Sequence, residues 1–227
     1  MIFPVFASVI VFCIWLAYEI RKSNKKGDKA EKAFWAREAE ADNTRKTSLD
    51  DLHYIVIPDE IFQPFLNSKG EFIESDENHE KVFADALIAF KHLKNSKIVN
   101  FSNISNTDLK LTYGAANLPE LTLYDQNFVL LIRTLQSMGE YFLAKGDKET
   151  AKNMLEFAVS SGSDTISTYK LLGSIYLEEE DFTKINYLSS SASLLTGLTK
   201  GPILNYLHEI APTNEEKEES ILEILDQ

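Results

Sequence analysis

Cysteine is almost absent from the sequence: Cys13 is the only one, and it lies in an apolar run near the start of the chain. That excludes an internal disulfide and a cysteine-built zinc site. The four histidines, His53, His79, His92 and His208, are scattered, with no pair four residues apart, so no helix offers two imidazoles to one metal. Also missing are a phosphate-binding glycine loop, a nucleophile elbow and a His/Glu metal motif. Carboxylates are plentiful, but the runs EEED (178–181) and EEKEE (215–219) suit solvated helix ends, and acids in a first helical turn complement the helix dipole. The expectation is a chain without catalysis, metal or cofactor.

Positive charge is also scarce, and it is unevenly placed. The net charge is −12; residues 1–32 hold six Lys/Arg against three Asp/Glu, leaving seventeen against thirty-two, or −15, for residues 33–227. A domain that acidic is repelled by phosphate backbones and by anionic lipid, which argues against a nucleic-acid partner and against lying flat on a membrane. Its hydrophobic content of 44% is enough for a packed core.

Residues 2–18, IFPVFASVIVFCIWLAY, carry no charge, and Glu19 is the first. With Ile20 the run is about 19 residues, or roughly 28 Å as a helix, close to the thickness of a bilayer core. Trp15 and Tyr18 stand at one end, where aromatic belts form, and Arg21, Lys22, Lys25, Lys26, Lys29 and Lys32 follow. A cleaved signal would carry its charge before the run and small residues after it; neither is present. A lipoprotein signal needs small residues ahead of its cysteine, whereas Cys13 follows Val11-Phe12. The pattern predicts an uncleaved transmembrane helix over residues 1–20, with the remaining chain cytoplasmic by the positive-inside rule.

Further along, Gly27–Arg45 is rich in Ala, Glu, Lys and Arg and reads as a mixed-charge juxtamembrane helix. Phe34 and Trp35 are its only large apolar residues and are expected to dock on the domain or on a partner. The stretch from Ser48 to Pro58 reads as an extended segment, and 59–79, with Pro64, Gly70 and an acidic stretch, as a loop. Glu80–Lys94 places Val82, Phe83, Ala86, Leu87, Phe90 and Leu93 on one face of an amphipathic helix. The connector Asn95–Asn106 holds two glycosylation-type triplets, at Asn100 and Asn103, which are accidents of composition in a cytoplasmic domain. Thr107–Tyr113 predicts a short helix closed by Gly114. Pro119 then suits the first turn of the next helix, and the helix of the first repeat is placed near Tyr124 onward.

The region from Leu131 to Thr199 contains one pattern twice, thirty-four residues apart. Leu135, Met138, Gly139, Phe142, Asp147 and Ala158 return as Tyr169, Leu172, Gly173, Tyr176, Asp181 and Ala192. Leu135, Met138 and Phe142 fall on one helical face, and Gly139 shares it, where a missing side chain lets a partner helix approach. Gly146-Asp147 suits a C-terminal cap followed by an N-cap. Adding thirty-four again reaches Ile203, Tyr206, Leu207 and Ile210, all apolar, before Pro212 and a last stripe at Ile221, Leu222 and Leu225.

A fixed period of this length marks stacked helical hairpins, and the residues resemble the tetratricopeptide (TPR) repeat. That family's first helix reads aromatic-x-x-Leu-Gly-x-x-Tyr, and its second carries Ala, an aromatic and Ala. Departures are present: Ser163 and Gly197 replace the closing Pro, the inner aromatic is Leu155 in one unit and Ser189 in the other, and Ile185 replaces the first Ala of the second. The resemblance implies an all-α, TPR-like hairpin stack (an α-solenoid) behind the transmembrane helix, and a role in binding proteins. It also implies a concave groove lined by first helices, whose outward residues here are Arg133, Gln136, Glu140, Lys170, Ser174 and Glu178. Gln136 and Glu140 do not match the set with which some TPR domains grip a C-terminal carboxylate. The overall plan also resembles single-pass bacterial membrane proteins of uncharacterised function, a likeness that brings no activity with it.

The expected organisation is therefore a transmembrane helix (1–20), a basic then mixed-charge juxtamembrane helix (21–47) and an extended segment with a loop (48–79). Leading helices (80–118), two TPR-like repeats (119–199) and a degenerate third hairpin or cap (200–227) complete it. The expected function is that of a membrane-tethered cytoplasmic adaptor holding a partner protein or peptide. The alternative is an envelope-side chaperone or translocon accessory with the opposite topology.

Overall fold

The computed structural model describes residues 3–74 and 80–211, with side chains from Val9 onward. The described residues form nine α-helices, and their β structure is limited to an isolated antiparallel bridge between Leu66 and Phe72. The chain divides into two units, residues 1–50 with 104–119, and residues 51–103 with 120–227.

In the first unit a single helix, α1, runs Phe3–Asp42. The apolar run and the charged segment after it, expected as two helices, are one. The intervening residues are mostly good helix formers, and one interior glycine, Gly27, costs only about 1 kcal/mol. Among the described residues no helix is long and apolar enough to cross a membrane; the side chains of 1–8, which open the apolar run, lie outside that description. The far end of α1 packs on α4 (Asn106–Tyr113). Ala41 is fully buried there, and Lys110 Nζ reaches Glu38 at 3.0 Å and Asp42 at 2.7 Å. The Thr107 hydroxyl, and after it Lys110, hold the Glu38 carboxyl below the usual carboxylate range. Ser105 caps α4 by accepting from the Asp108 N–H, and Asn117 donates to the carbonyls of Thr47 (2.8 Å) and Tyr113 (2.7 Å). Phe34 and Trp35, expected to dock on the domain or on a partner, stay exposed within the first unit. They stand edge-to-face with each other, 55% and 61% exposed.

The second unit begins with the extended segment, whose Ile55 N–H donates to the Ile98 carbonyl at 2.9 Å. The expected loop over 59–79 is instead ordered through its described part. Asp59–Phe62 is a helical turn, α2, followed by a 3₁₀ turn at Gln63–Phe65 and the Leu66–Phe72 bridge. Three apolar residues explain the difference. Ile61, Phe62 and Phe65 are buried, and Phe65 stacks on Phe83 with centroids 4.9 Å apart. Helix α3, Lys81–Leu93, buries Phe83, Ala86, Leu87, Phe90 and Leu93 as its period requires, while Val82 stays exposed.

Helix α5 runs unbroken from Leu118 to Ala144, with Pro119 in its first turn, so it starts earlier than Tyr124. After it come α6 (Lys148–Ser160), α7 (Ile166–Glu178), α8 (Phe182–Ser193) and α9 (Lys200–Ile210). One core joins α2, α3, α5 and α6; a second joins α6, α7, α8 and α9. Helix α6 serves both, giving Ala151, Met154 and Ala158 to the first and Leu155 and Val159 to the second. Full burial of each large aliphatic or aromatic side chain contributes about 1.5–3 kcal/mol, and this shared helix couples the two cores. The last part of the expected third hairpin, from Pro212 on, lies outside the described residues.

The thirty-four-residue period returns in the turns. The Asp147 N–H donates to Phe142 O at 2.9 Å, and the Asp181 N–H to Tyr176 O at 2.9 Å. Each aspartate then caps the next helix, accepting from the N–H of Thr150 or Lys184. The residue ahead of each cap is left-handed: Gly146 at φ +82° and Glu180 at φ +57°. The two glycines on the first helices differ more. A Cβ on Gly139 would lie 2.6 Å from Leu155 of α6, whereas one on Gly173 would meet Ile210, Tyr206 and Leu207 of α9. A helix lies over both: at Gly139 it is the next in the chain, α6, and at Gly173 the next but one, α9, with the small Ser189 of α8 where the first hairpin has Leu155.

Candidate functional site

The six groove residues lie on the surfaces of α5 and α7. Arg133, Glu140, Lys170, Ser174 and Glu178 are exposed and Gln136 is half-buried. Gln136 uses both ends of its amide within the chain, donating to Glu140 (3.1 Å) and accepting from the Thr168 hydroxyl (3.3 Å). On α7 the Lys170 carbonyl accepts from the Tyr206 hydroxyl at 3.0 Å, and its ammonium lies 5.7 Å from that ring's centre. Ser174 turns back to the Leu171 carbonyl (2.8 Å), and Glu178 pairs with Lys148 (2.6 Å). Arg133 has no ion-pair partner among the described residues. The structure thus brings Gln136 and Glu140 together and links them to α7, while α9 and Lys148 occupy two of the three α7 positions.

A concavity of about 700 Å³ lies elsewhere, on the faces of α6, α7 and α8 and beside the turn that opens α2. Asn153, Glu156, Phe157 and Ser160 recur at i, i+3, i+4 and i+7, so one face of α6 forms a wall. Leu172 and Tyr176, one helical turn apart on α7 and both nearly inaccessible, make the floor. Asp181, Lys184 and Tyr187 of α8 line the opposite side, and Pro58, Glu60 and Ile61 close one end. None of the six groove residues lines this cleft.

Its polar groups form one short chain. The Tyr176 hydroxyl donates to Glu156, which also accepts from Lys184 Nζ at 3.0 Å, and that ammonium sits 5.7 Å from the centre of the Tyr176 ring. Burial, then the bond to Glu156, pushes the Tyr176 hydroxyl well above the ordinary phenol range. It therefore stays neutral and donating at physiological pH. Glu60 is exposed and meets no cation among the described residues. Tyr187 keeps 53% of its surface open. No set of three or more His, Cys, Asp or Glu side chains fit to hold a metal is present among the described residues.

Sequence reasoning looked for the site on the first helices and did not find the cleft. Two signals pointed to it. Phe157 breaks the otherwise polar outward face of α6, whose inward residues are Ala151, Leu155 and Ala158. Tyr187 does the same on α8, between the inward Ile185 and Leu188. The end wall was hidden because 59–79 read as a loop. No protein-family model, curated protein or solved structure matches the chain.

Proposed function

We propose that this chain is a membrane-held, non-catalytic adaptor whose TPR-like hairpins bind a segment of a partner protein. The observation that carries the reading is the recurrence of one turn, with the same capping aspartate, the same 2.9 Å backbone bond and a left-handed residue ahead of it, at positions 147 and 181. Hairpins repeated at a constant period present extended binding surfaces, since each contacts only its neighbours.

The tether is supported by the charge-free run of residues 2–18 and by the basic cluster that follows it. On α1 the successive residues Ile10, Val11 and Phe12, which point to different sides of the helix, are 50%, 66% and 55% exposed. A helix that exposes apolar residues on every side is covered better by lipid than by water. The basic cluster places the hairpin unit on the cytoplasmic side.

Deleting residues 2–20 tests the tether. The shortened chain is expected in the soluble fraction, and the full chain in alkali-washed membranes. Should the shortened chain remain with the washed membranes, the tether is wrong. Topology is read with Ser190→Cys in a Cys13→Ser background, using a membrane-impermeant thiol reagent; Ser190 is exposed on α8. Protection in intact cells is expected, and labelling there would favour the envelope-side chaperone. Binding is tested by crosslinking the full chain in membranes and identifying what co-purifies: a protein adduct is expected, and the absence of any would count against the adaptor.

A further inference from the structure

We propose that the cleft formed by α6, α7 and α8, not the groove between α5 and α7, receives the partner, and that the bound segment is basic with an apolar anchor. This inference rests on the adaptor reading and names its face and its ligand chemistry. Three observations carry it. The first is size: about 700 Å³ falls within the range of roughly 300–1,000 Å³ in which pockets bury a compact ligand or several side chains.

The second is the shape of its apolar surface. Tyr187 stands half-open at the rim and Phe157 is partly exposed on the α6 wall, above Leu172 and Tyr176, which already belong to the core. Closing over these two aromatics removes their remaining apolar area from water, the usual build of an interface anchor point.

The third is charge. Glu60, Glu156 and Asp181 face one cation, Lys184, so the cleft is net negative, and it sits in a chain whose residues 33–227 carry −15. That field draws a cationic segment and repels phosphates and anionic headgroups. By contrast the six groove residues balance two acids against two bases, and their one amide is already bonded at both ends. A second copy of this chain could offer its own basic stretch, Arg21–Lys32, with Phe34 and Trp35 after it, but on α1 Glu31 and Glu38 lie within a turn of those rings and offset the positive charge there.

The test uses the full chain in detergent micelles and a displayed library of random short peptides as the probe. Enriched peptides are resynthesised with a fluorophore and titrated by anisotropy against five chains. These are the parent, Glu60→Lys, Tyr187→Ser, the pair of these, and Arg133→Glu with Lys170→Glu. Both cleft positions are exposed, and unchanged far-ultraviolet circular dichroism confirms that each variant folds. Enriched peptides are expected to carry Lys or Arg beside an aliphatic or aromatic residue and to bind less tightly as salt is raised. The cleft pair is expected to weaken them about tenfold or more, the scale of one or two lost anchor contacts. The groove pair is expected to change binding by less than about twofold, as rim charges usually do.

Acidic or neutral winners overturn the proposal, as does binding lost in the groove pair but kept in the cleft pair; in both cases the adaptor reading survives. A synthetic 21–36 peptide, which includes Phe34 and Trp35, that binds as tightly as the winners would make the occupant a second copy and also overturn it. A library that yields no binder removes the adaptor reading together with the cleft.

Discussion

Glu180→Gly is expected to stabilise the protein, although glycine is a poor choice at most positions of a helical chain. Glu180 follows α7 with φ +57°, the only non-glycine described with positive φ, and the equivalent residue in the preceding hairpin is Gly146 at φ +82°. The bonds around the two are alike: Gly146 N–H to Leu143 O at 3.0 Å, and Glu180 N–H to Leu177 O at 3.1 Å. A left-handed conformation costs an L-residue about 1–2 kcal/mol through the contact of its Cβ with the backbone. Glycine escapes that cost but brings more freedom to the unfolded chain, which offsets about 0.4–1 kcal/mol. The net gain is roughly 0.5–1 kcal/mol, or about 1–4 °C in Tm for a chain of this size. Urea and thermal unfolding of the detergent-solubilised chain, followed by circular dichroism, measure it. Glu180→Ala serves as the control for loss of the carboxylate and is expected near the parent. Gly146→Ala provides the converse: a Cβ there has nothing within 4 Å, so its expected loss of about 1 kcal/mol is purely conformational. If Glu180→Gly proves neutral or destabilising while Gly146→Ala is costly, the two turns are not equivalent and the repeat reading of the hairpins fails.

Other outcomes follow from the same packing. Gly139→Ala should destabilise by about 1–3 kcal/mol because its Cβ would press on the buried Leu155, with Cγ at 2.7 Å. A double-mutant cycle with Leu155→Ala should show the two costs to be less than additive. Gly173→Ala should be close to neutral by the same unfolding assay, since it meets the far ends of Ile210 (2.9 Å) and Tyr206 (3.0 Å), which can move aside, and it gains helix propensity. Asp147→Ala and Asp181→Ala should each cost about 1 kcal/mol through loss of the N-cap bond. Burial lifts the Tyr169 hydroxyl from the ordinary 10 to about 12. Its folded form holds a proton that the unfolded form releases, so the stability it provides is whole below pH 10 and is lost as pH climbs toward 12. Tyrosinate absorbance should therefore rise together with alkaline unfolding, and titration of Tyr169 in a still-folded chain would contradict its burial.

Much of the helical plan was legible in the sequence because it is written in local signals. The apolar period placed α3, the glycine at 114 closed α4, and the Gly-Asp pair marked the turn before α6. Other features depended on partners distant in the chain. The segment 59–74 looked like a loop by its Pro, Gly and charge, but burial of Ile61, Phe62 and Phe65 against α3 overrides that composition. Phe34 and Trp35 suggested docking, and within their own unit they stay exposed. Gly139 and Gly173 were correctly read as points of close approach, but periodicity does not say which helix approaches. That was set by volume, Leu155 filling the first gap and Tyr206 and Ile210 the second. The cleft was missed for a similar reason: its end wall is a turn far from α6, α7 and α8 in sequence, and single apolar residues on polar faces, such as Phe157 and Tyr187, are too common to stand out.

The most direct measurement is site-specific photocrosslinking of the full chain in native membranes. A photoreactive amino acid is placed in turn at Tyr187 in the cleft, at Lys170 on the α7 face, and at Gln126, an exposed position on α5 ahead of the repeats. A membrane-held adaptor should give one protein adduct from the hairpin positions, strongest at Tyr187, and none at Gln126. No adduct from either hairpin position, or the same adducts from all three, would contradict the account.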